Sequence, residues 1–370
     1  MVIIQMPTKS LIMELIEAGI RAPSADNGQP WKFKLLKNGF ELWLDHNHIG
    51  LFFDINQVAT QISCGALLEN VMQLSSAYGL SVSIEWLKSS EFQVDNHLSQ
   101  LATLTFKQVR PKDDHKIKQI KQKIYQRHTN RNLFKFKQKI PSLTLAELSS
   151  VVCNSPGYHL IQFDLPEERQ KIINIITKAD ALRFNHPRVH HDFYQVLRFG
   201  DEANKTGDGL ADTTLGIENF MIPLLKRLKP WPLTKFLNYF GLHRLMAQRS
   251  SWLPLKSASS IVAITHSGPA DYIESGRIME RFWIEANQKG LSVQPLGAFP
   301  LFFARLHLAS GKGFTRQQQT QLSRLEQQFR ILCPSFTSKQ DQIIMFFRLG
   351  YTTTSAQKAF RRPLDSFILT

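Results

Sequence analysis

GALLENVMQLSSAYGLSV, residues 65–82, returns as GRIMERFWIEANQKGLSV, residues 276–293, an offset of 211 residues. In each copy two glycines stand fourteen apart, and the second opens the tetrapeptide GLSV. The spacing predicts two equivalent helices, each closed by a glycine just past its last turn, Gly79 and Gly290, and each feeding a strand. A glycine-leucine pair after a helix is common, but the length of the match favours a duplicated α+β unit. The expected fold class is therefore α+β, built from two related halves in one chain of 370 residues.

Around the first copy the pattern is regular. Leu11, Ile12, Leu15, Ile16 and Ile20 share one helical face that ends at the turn before Pro23. WKFKLL and FELWLDH, flanking Lys37-Asn38-Gly39, read as a β-hairpin, because an Asn-Gly pair suits a tight turn between alternating strands. A long helix fits Gln57 to Gly79. The halves are expected to meet near the basic region before Tyr125, giving residues 1–120 and 121–370.

Composition removes several classes of function. A hydrophobic share of 43% with 20% charged residues describes a globular chain, and no apolar run is long enough to span a bilayer. The N-terminus MVIIQMPTKS lacks the layout of a signal peptide, so the default expectation is cytoplasmic. Cys64, Cys153 and Cys333 are far apart, indicating neither a disulfide framework nor a zinc site, and are expected reduced and buried. The net charge of +15 raises nucleic acid or an anionic surface as a partner. Its densest stretch, Lys107–Lys139, reads as a solvated helix face, a phosphate-binding region or a nucleic-acid patch. No nucleic-acid-binding motif supports the last of these.

Two short segments carry the functional reading. APSADNGQPW, residues 22–31, stops a helix with a Pro/Ser/Asn/Gly turn and leads into a strand, placing backbone amides and short polar side chains beside a rigid scaffold. RHTNR, residues 127–131, supplies Arg127, His128, Thr129 and Arg131 within five residues, cations and a hydroxyl that suit phosphate, although any surface turn can look the same.

In combination these segments resemble the FMN-dependent nitroreductase superfamily, and the Acg-like branch with tandem nitroreductase-like folds in particular. The resemblance implies that Arg127 and Thr129 hold the FMN phosphate with His128 beside them, and that Arg131 faces the flavin pyrimidine edge. QPLGAF, residues 294–299, resembles the flavin-adjacent turn, with Pro295, Leu296 and Gly297 at the matching positions. FFRLGY followed by FRRPL resembles the C-terminal return to the phosphate, where Arg361 and Arg362 are the candidates and Arg348 a lesser one. Pro23, Ser24 and Asn27 match positions that reach the flavin from the partner subunit of family dimers, while Gln29 and Trp31 fix the loop and pack the strand.

The distribution of these motifs is unusual for that family. The first half has the loop but no phosphate box before it; the second has the box but no loop, since shifting Ala22 by 211 lands on LTKFLNYFGL. One FMN site between two partly degenerate halves is implied, an intrachain pseudo-dimer that is monomeric or weakly dimeric. The implied chemistry is NAD(P)H-linked reduction of a small nitro, quinone or similar acceptor, with no catalytic acid or base required because the flavin stores the hydride. The alternative is a silent protein that stores FMN under a lid.

The segment 207–257 resembles the family least. It reads as Pro-broken apolar helices with interleaved cations, a lid or packing arm; a membrane-surface helix is the other reading, against which Pro230 and Pro232 count. HPRVHHDF sets His186 and His190 one helical turn apart, a possible metal pair with no third ligand evident, so that surface or lid contacts are preferred. His46 and His48 read as turn residues.

Overall fold

A computed structural model describes residues 6–49, 51–87, 94–95, 97–136, 138–354 and 356–369. Its architecture is mixed α and β, with two principal sheets among the described residues. The first runs in the order Ile368–Leu369, Trp31–Leu36, Gly39–Asp45, Leu98–Gln108, Leu80–Trp86, with the short Val94–Asp95 strand beside Leu98–Gln108. The second runs Ser292–Leu296, Gln342–Gly350, Ser260–His266, Tyr158–Gln162 and is antiparallel throughout. The hairpin pairs in the register Leu36 to Gly39, as its turn sequence requires.

Both repeat copies form the anticipated elements. Helices Val58–Ala77 and Tyr272–Gln288 are each followed by a glycine in the left-handed region, Gly79 at φ +72 and Gly290 at φ +74. Strands Leu80–Trp86 and Ser292–Leu296 come next. Val58–Ala77 is buried on all sides, Glu69 and Asn70 included, which explains its lack of a polar face. The two helices cross at the glycines that open the repeats. A Cβ on Gly65 would stand 1.9 Å from the Ile273 carbonyl oxygen, and one on Gly276 would stand 2.0 Å from that of Ile62. The two close approaches are equivalent under the 211-residue offset, which carries Gly65 to Gly276 and Ile62 to Ile273; it also carries Glu69 to Glu280, buried carboxylates on the two helices. Glu69 meets Arg277 at 3.2 Å and Arg281 at 3.0 Å; Glu280 meets Arg127 at 2.9 Å.

One hydrophobic core unites both sheets with the two long helices, through Leu67, Val71, Phe282 and Trp283 among others. A second core lies on the other face of the second sheet, beneath helices Pro166–Phe184, Ala298–Leu308 and Arg316–Leu332. Strand Ser260–His266 serves both, sending Val262 and Ile264 to one core and Ile261 and Ala263 to the other. It is accordingly apolar along most of its length.

The last strand returns to the first sheet, pairing Phe33 with Ile368 in parallel. One expectation changes. Cys64 and Cys333 are buried and unpaired, but Cys153 is exposed at the end of its helix. Among the described residues no helix is long and apolar enough to cross a membrane, and no cluster of three metal-ligating side chains occurs. His186 instead caps the helix Pro187–Val196 by accepting from the Val189 amide, and His190 meets the Lys229 carbonyl of the 207–257 segment at 2.9 Å.

Candidate functional site

The loop after the first helix is held in an unusual backbone shape. Asp26, Asn27 and Gln29 all lie in the left-handed region, at φ +49, +57 and +52, and such conformations persist only when the surroundings enforce them. The enforcement comes from within the loop and from the C-terminal segment. Ser24 Oγ accepts from the Gln29 amide at 2.9 Å, and Gln29 Nε2 donates to the carbonyls of Asn27 and Gly207. Asn27 Nδ2 donates to the Phe360 carbonyl at 3.0 Å. Arg361 then donates to Asn27 Oδ1 and to the carbonyls of Ile20, Arg21 and Ala22, closing the C-terminal end of the helix. Arg362 donates to the Gln29 carbonyl and meets His48. Gln29 and Trp31 are fully buried, the former holding the loop and the latter packing the strand behind it.

Beside this loop lies a cavity of about 450 Å³. Its lining includes Pro23–Asp26, Thr129 with Arg131, the turn Gln294–Ala298, the helix positions Ile62, Ser63, Met279 and Trp283, and the segment 210–250 through Leu215, Leu224, Leu245 and others. The walls are mainly apolar, with Arg131, Arg183, Arg249, Asp26 and Asp180 among the lining residues and Arg183 paired to Asp180 at 3.0 Å. Asp26 is pushed above the usual carboxylate range by burial, an effect that Arg183 and Arg131 oppose. Burial draws Arg131 below its ordinary value, with Asp26 opposing. Ser250 Oγ, buried in the same wall, has no hydrogen-bond partner among the described residues. A buried hydroxyl in that state favours a polar ligand atom.

Seven of the twelve residues singled out from sequence converge here: Pro23, Ser24, Thr129, Arg131, Pro295, Leu296 and Gly297. Asn27, Arg127, His128, Arg361 and Arg362 do not line the cavity. Arg127 was expected at a phosphate, but its guanidinium is buried in an ion pair with Glu280, donates to the Arg21 carbonyl at 2.8 Å and lies 4.6 Å over the Trp283 ring. Burial pushes the Glu280 carboxyl up to about 7 even with Arg127 beside it. Arg361, pushed down to about 9 by burial and then by Arg127 and Arg21, is spent on the loop carbonyls described above. His128 turns to the Gln126 carbonyl and to Asn287. The physical reason is shared by all five: each cation or amide expected at an anion already has a protein acceptor.

Sequence reasoning passed over one contributor and did not foresee the contacts of two others. Asp26 sits inside the quoted loop but was not singled out. Arg348, fully buried, donates to the carbonyls of Asn132 at 2.8 Å and Pro254 at 3.3 Å and to Gln294, so it positions two walls of the cavity at once. The third is the segment 210–250, whose Gly216 packs on the Arg131 backbone so closely that a Cβ would stand 2.4 Å from the Arg131 carbonyl oxygen. Thr214 also accepts from Arg131 Nη1 at 3.2 Å. No local pattern marks these pairings, because each joins residues remote in sequence.

No protein-family model matches the sequence. The chain is similar to an uncharacterised protein of Mycobacterium tuberculosis, 26% identical over 368 residues, covering 96% of this chain and 47% of that protein. It thus spans about half the length of the curated relative it matches. Among solved structures it is similar to a BluB-like flavoprotein from Clostridium difficile 630, with 12% identity, 67% of this chain and 96% of that one covered, and a TM-score of 0.36. A nitroreductase with bound FMN from Bacteroides fragilis gives 9% identity, 65% and 92% coverage and a TM-score of 0.34. The FMN-dependent nitroreductase NfnB from Mycobacterium smegmatis, in complex with NADPH, gives 10%, 64% and 92%, and 0.32. Overlap at this level leaves this chain's own residues to carry any assignment.

Proposed function

We propose that the chain is an FMN-class flavin oxidoreductase of the nitroreductase type, passing electrons from NAD(P)H to a small nitro, quinone or similar acceptor at one site between two fused halves of an intrachain pseudo-dimer. The observation that carries this is the convergence of Pro23–Asp26, Thr129, Arg131 and Pro295–Gly297 on one apolar cavity. The reciprocal helix contacts at Gly65 and Gly276 support the two-half reading, since a two-fold arrangement pairs each position with its equivalent.

The ring end of a flavin fits this cavity better than the phosphate end. Apolar walls and the Gln294–Ala298 backbone suit a flat heterocycle, and Arg131 offers positive charge in a water-poor setting. A phosphate reaching Arg127 has to compete with Glu280, and one reaching Arg361 with four backbone and side-chain acceptors. Bound flavin would supply hydride storage; this chain's part is to orient the ring, hold Arg131 beside it and exclude water. The test is flavin content of a Thr129→Ala/Arg131→Ala variant that remains folded. Loss of flavin is expected, and full retention rejects the site.

A second reading, a flavin store without turnover, is favoured by one observation. The segment 210–250 forms a wall of the cavity, packs on the Arg131 backbone at Gly216 and is held together internally by Arg249, which meets Glu218 at 2.8 Å and the Gly216 carbonyl at 3.0 Å. Anaerobic addition of NADH or NADPH separates the two. Rapid bleaching of the bound flavin identifies the enzyme, and an unreactive flavin the store. In either case we place the protein in the cytoplasm, monomeric or weakly dimeric, with small-molecule partners and no nucleic acid.

A further inference from the structure

From residue 219 to residue 270 the sequence contains no aspartate or glutamate but seven lysines and arginines, among them Lys226, Lys229 and Lys235. Within this acid-free stretch the helix Trp231–Tyr239 is turned inside out. Its uncharged polar side chains face the protein: Thr234 Oγ1 donates to the Leu228 carbonyl at 2.7 Å, and Asn238 Nδ2 to the Phe184 carbonyl at 3.1 Å and to Asn185 Oδ1 at 3.0 Å. The aromatic side chains of its second half face outward, with Phe236 58% exposed, Tyr239 79% and the adjoining Phe240 77%. Phe220, at 79%, is a further exposed aromatic residue in the acid-free stretch of sequence. An amphipathic helix in a water-facing arm has the opposite polarity, so this one is built for an apolar surrounding.

The patch is joined to the cavity. Leu224 and Leu245 line the cavity yet remain 50% and 63% exposed, so the cavity reaches the surface through this arm. We propose that the arm docks on an anionic lipid surface, with Phe236, Tyr239 and Phe240 in the boundary between headgroups and acyl chains and the lysines against the headgroups. Docked in this way, the cavity receives an apolar, lipid-dissolved acceptor of the quinone class from the bilayer without passage through water. Only the identity of what enters rests on the oxidoreductase reading; the docking does not.

Charge selects this occupant over the others. A second copy meeting the same face would bring two cationic arms together, which repel. Nucleic acid would satisfy the cations and aromatic rings but leaves the aliphatic Leu224, Leu233 and Leu245 without use. An anionic bilayer satisfies all three kinds of side chain.

The test is flotation of the full chain with phosphatidylcholine vesicles, with and without one-third phosphatidylglycerol. The wild type should float with the anionic vesicles and not the zwitterionic ones. A Phe236→Ser/Phe240→Ser variant and a Lys229→Glu/Lys235→Glu variant should each lose roughly tenfold or more of the bound fraction. All four side chains are exposed, so thermal unfolding of both variants should match the wild type. Absence of flotation with anionic vesicles, or equal flotation of the variants, overturns the proposal, as does a concentration-dependent dimer that the aromatic variant abolishes. A yellow protein that does not float overturns the docking alone; one that floats but is colourless and binds no added FMN overturns the flavin reading alone.

Discussion

Gly65 and Gly276 meet where the two long helices cross, so closely that a Cβ on Gly65 would stand 2.9 Å from the Gly276 Cα and 1.9 Å from the Ile273 carbonyl oxygen. The contact is returned by Gly276 on Ile62, the repeat equivalents of Gly65 and Ile273. This crossing joins the two sheets into one core and sets the distance between the cavity walls contributed by Ile62–Ser63 and by Met279–Trp283.

Gly65→Ala and Gly276→Ala should therefore each destabilise the fold. Alanine adds helix propensity worth about 1 kcal/mol, but the new methyl meets backbone and forces the helices apart, a strain of about 1–3 kcal/mol or more. Because the contact is reciprocal, the two losses should be similar. Denaturant unfolding of the single variants measures this, and an alanine variant as stable as the wild type would contradict the close crossing.

Arg361 is predicted to be a structural clamp. Lysine keeps the charge but, as a single ammonium, cannot reach Asn27 and three separated carbonyls as a guanidinium does. Arg361→Lys should leave buried acceptors unpaired, at about 1–3 kcal/mol for each that water does not reach. The cut should show first in the loop 22–29, as faster limited proteolysis there. Unchanged proteolysis and stability would return Arg361 to the role of a free cation.

The first half of this molecule was legible in the chain because its signals are local. The hairpin follows from Asn38-Gly39, and the caps at Gly79 and Gly290 follow from needing φ above zero. The walls of the cavity were partly legible for the same reason: Pro23, Ser24, Thr129, Arg131 and Pro295–Gly297 lie in short turns with recognisable chemistry. What the cations do was not legible. Arg127 looks free in RHTNR until Glu280 is seen beside it, and Arg361 looks free in FRRPL until the helix end it closes is placed. The orientation of Trp231–Tyr239 was hidden too, since its period fixes which residues share a face but not which face meets protein.

Acid should weaken the fold through His186. Its Nδ1 accepts from the Val189 amide, its Nε2 donates to the Gly313 carbonyl at 2.9 Å, and its ring packs 4.4 Å from that of Phe52. That arrangement requires neutral imidazole, and burial, aided by Arg305, lowers its pKa from the ordinary 6.5. The unfolded chain therefore takes up a proton first, and stability present above pH 6.5 is lost as pH falls below it. His48, His190 and His243 are lowered in the same direction, chiefly by burial. His186→Asn keeps a helix-capping acceptor without a titrating group. Its unfolding free energy should drop less between neutral and acidic pH than that of the wild type, and an identical drop would remove His186 from the account.

The central claim, that the cavity between Pro23–Asp26, Arg131 and Pro295–Gly297 holds a flavin ring, is tested most directly by the visible absorption spectrum of the purified full chain, before and after addition of FMN. The account predicts a yellow protein with one flavin per chain, or a colourless one that takes up one on addition. A protein that is colourless as purified and binds no added FMN would contradict it.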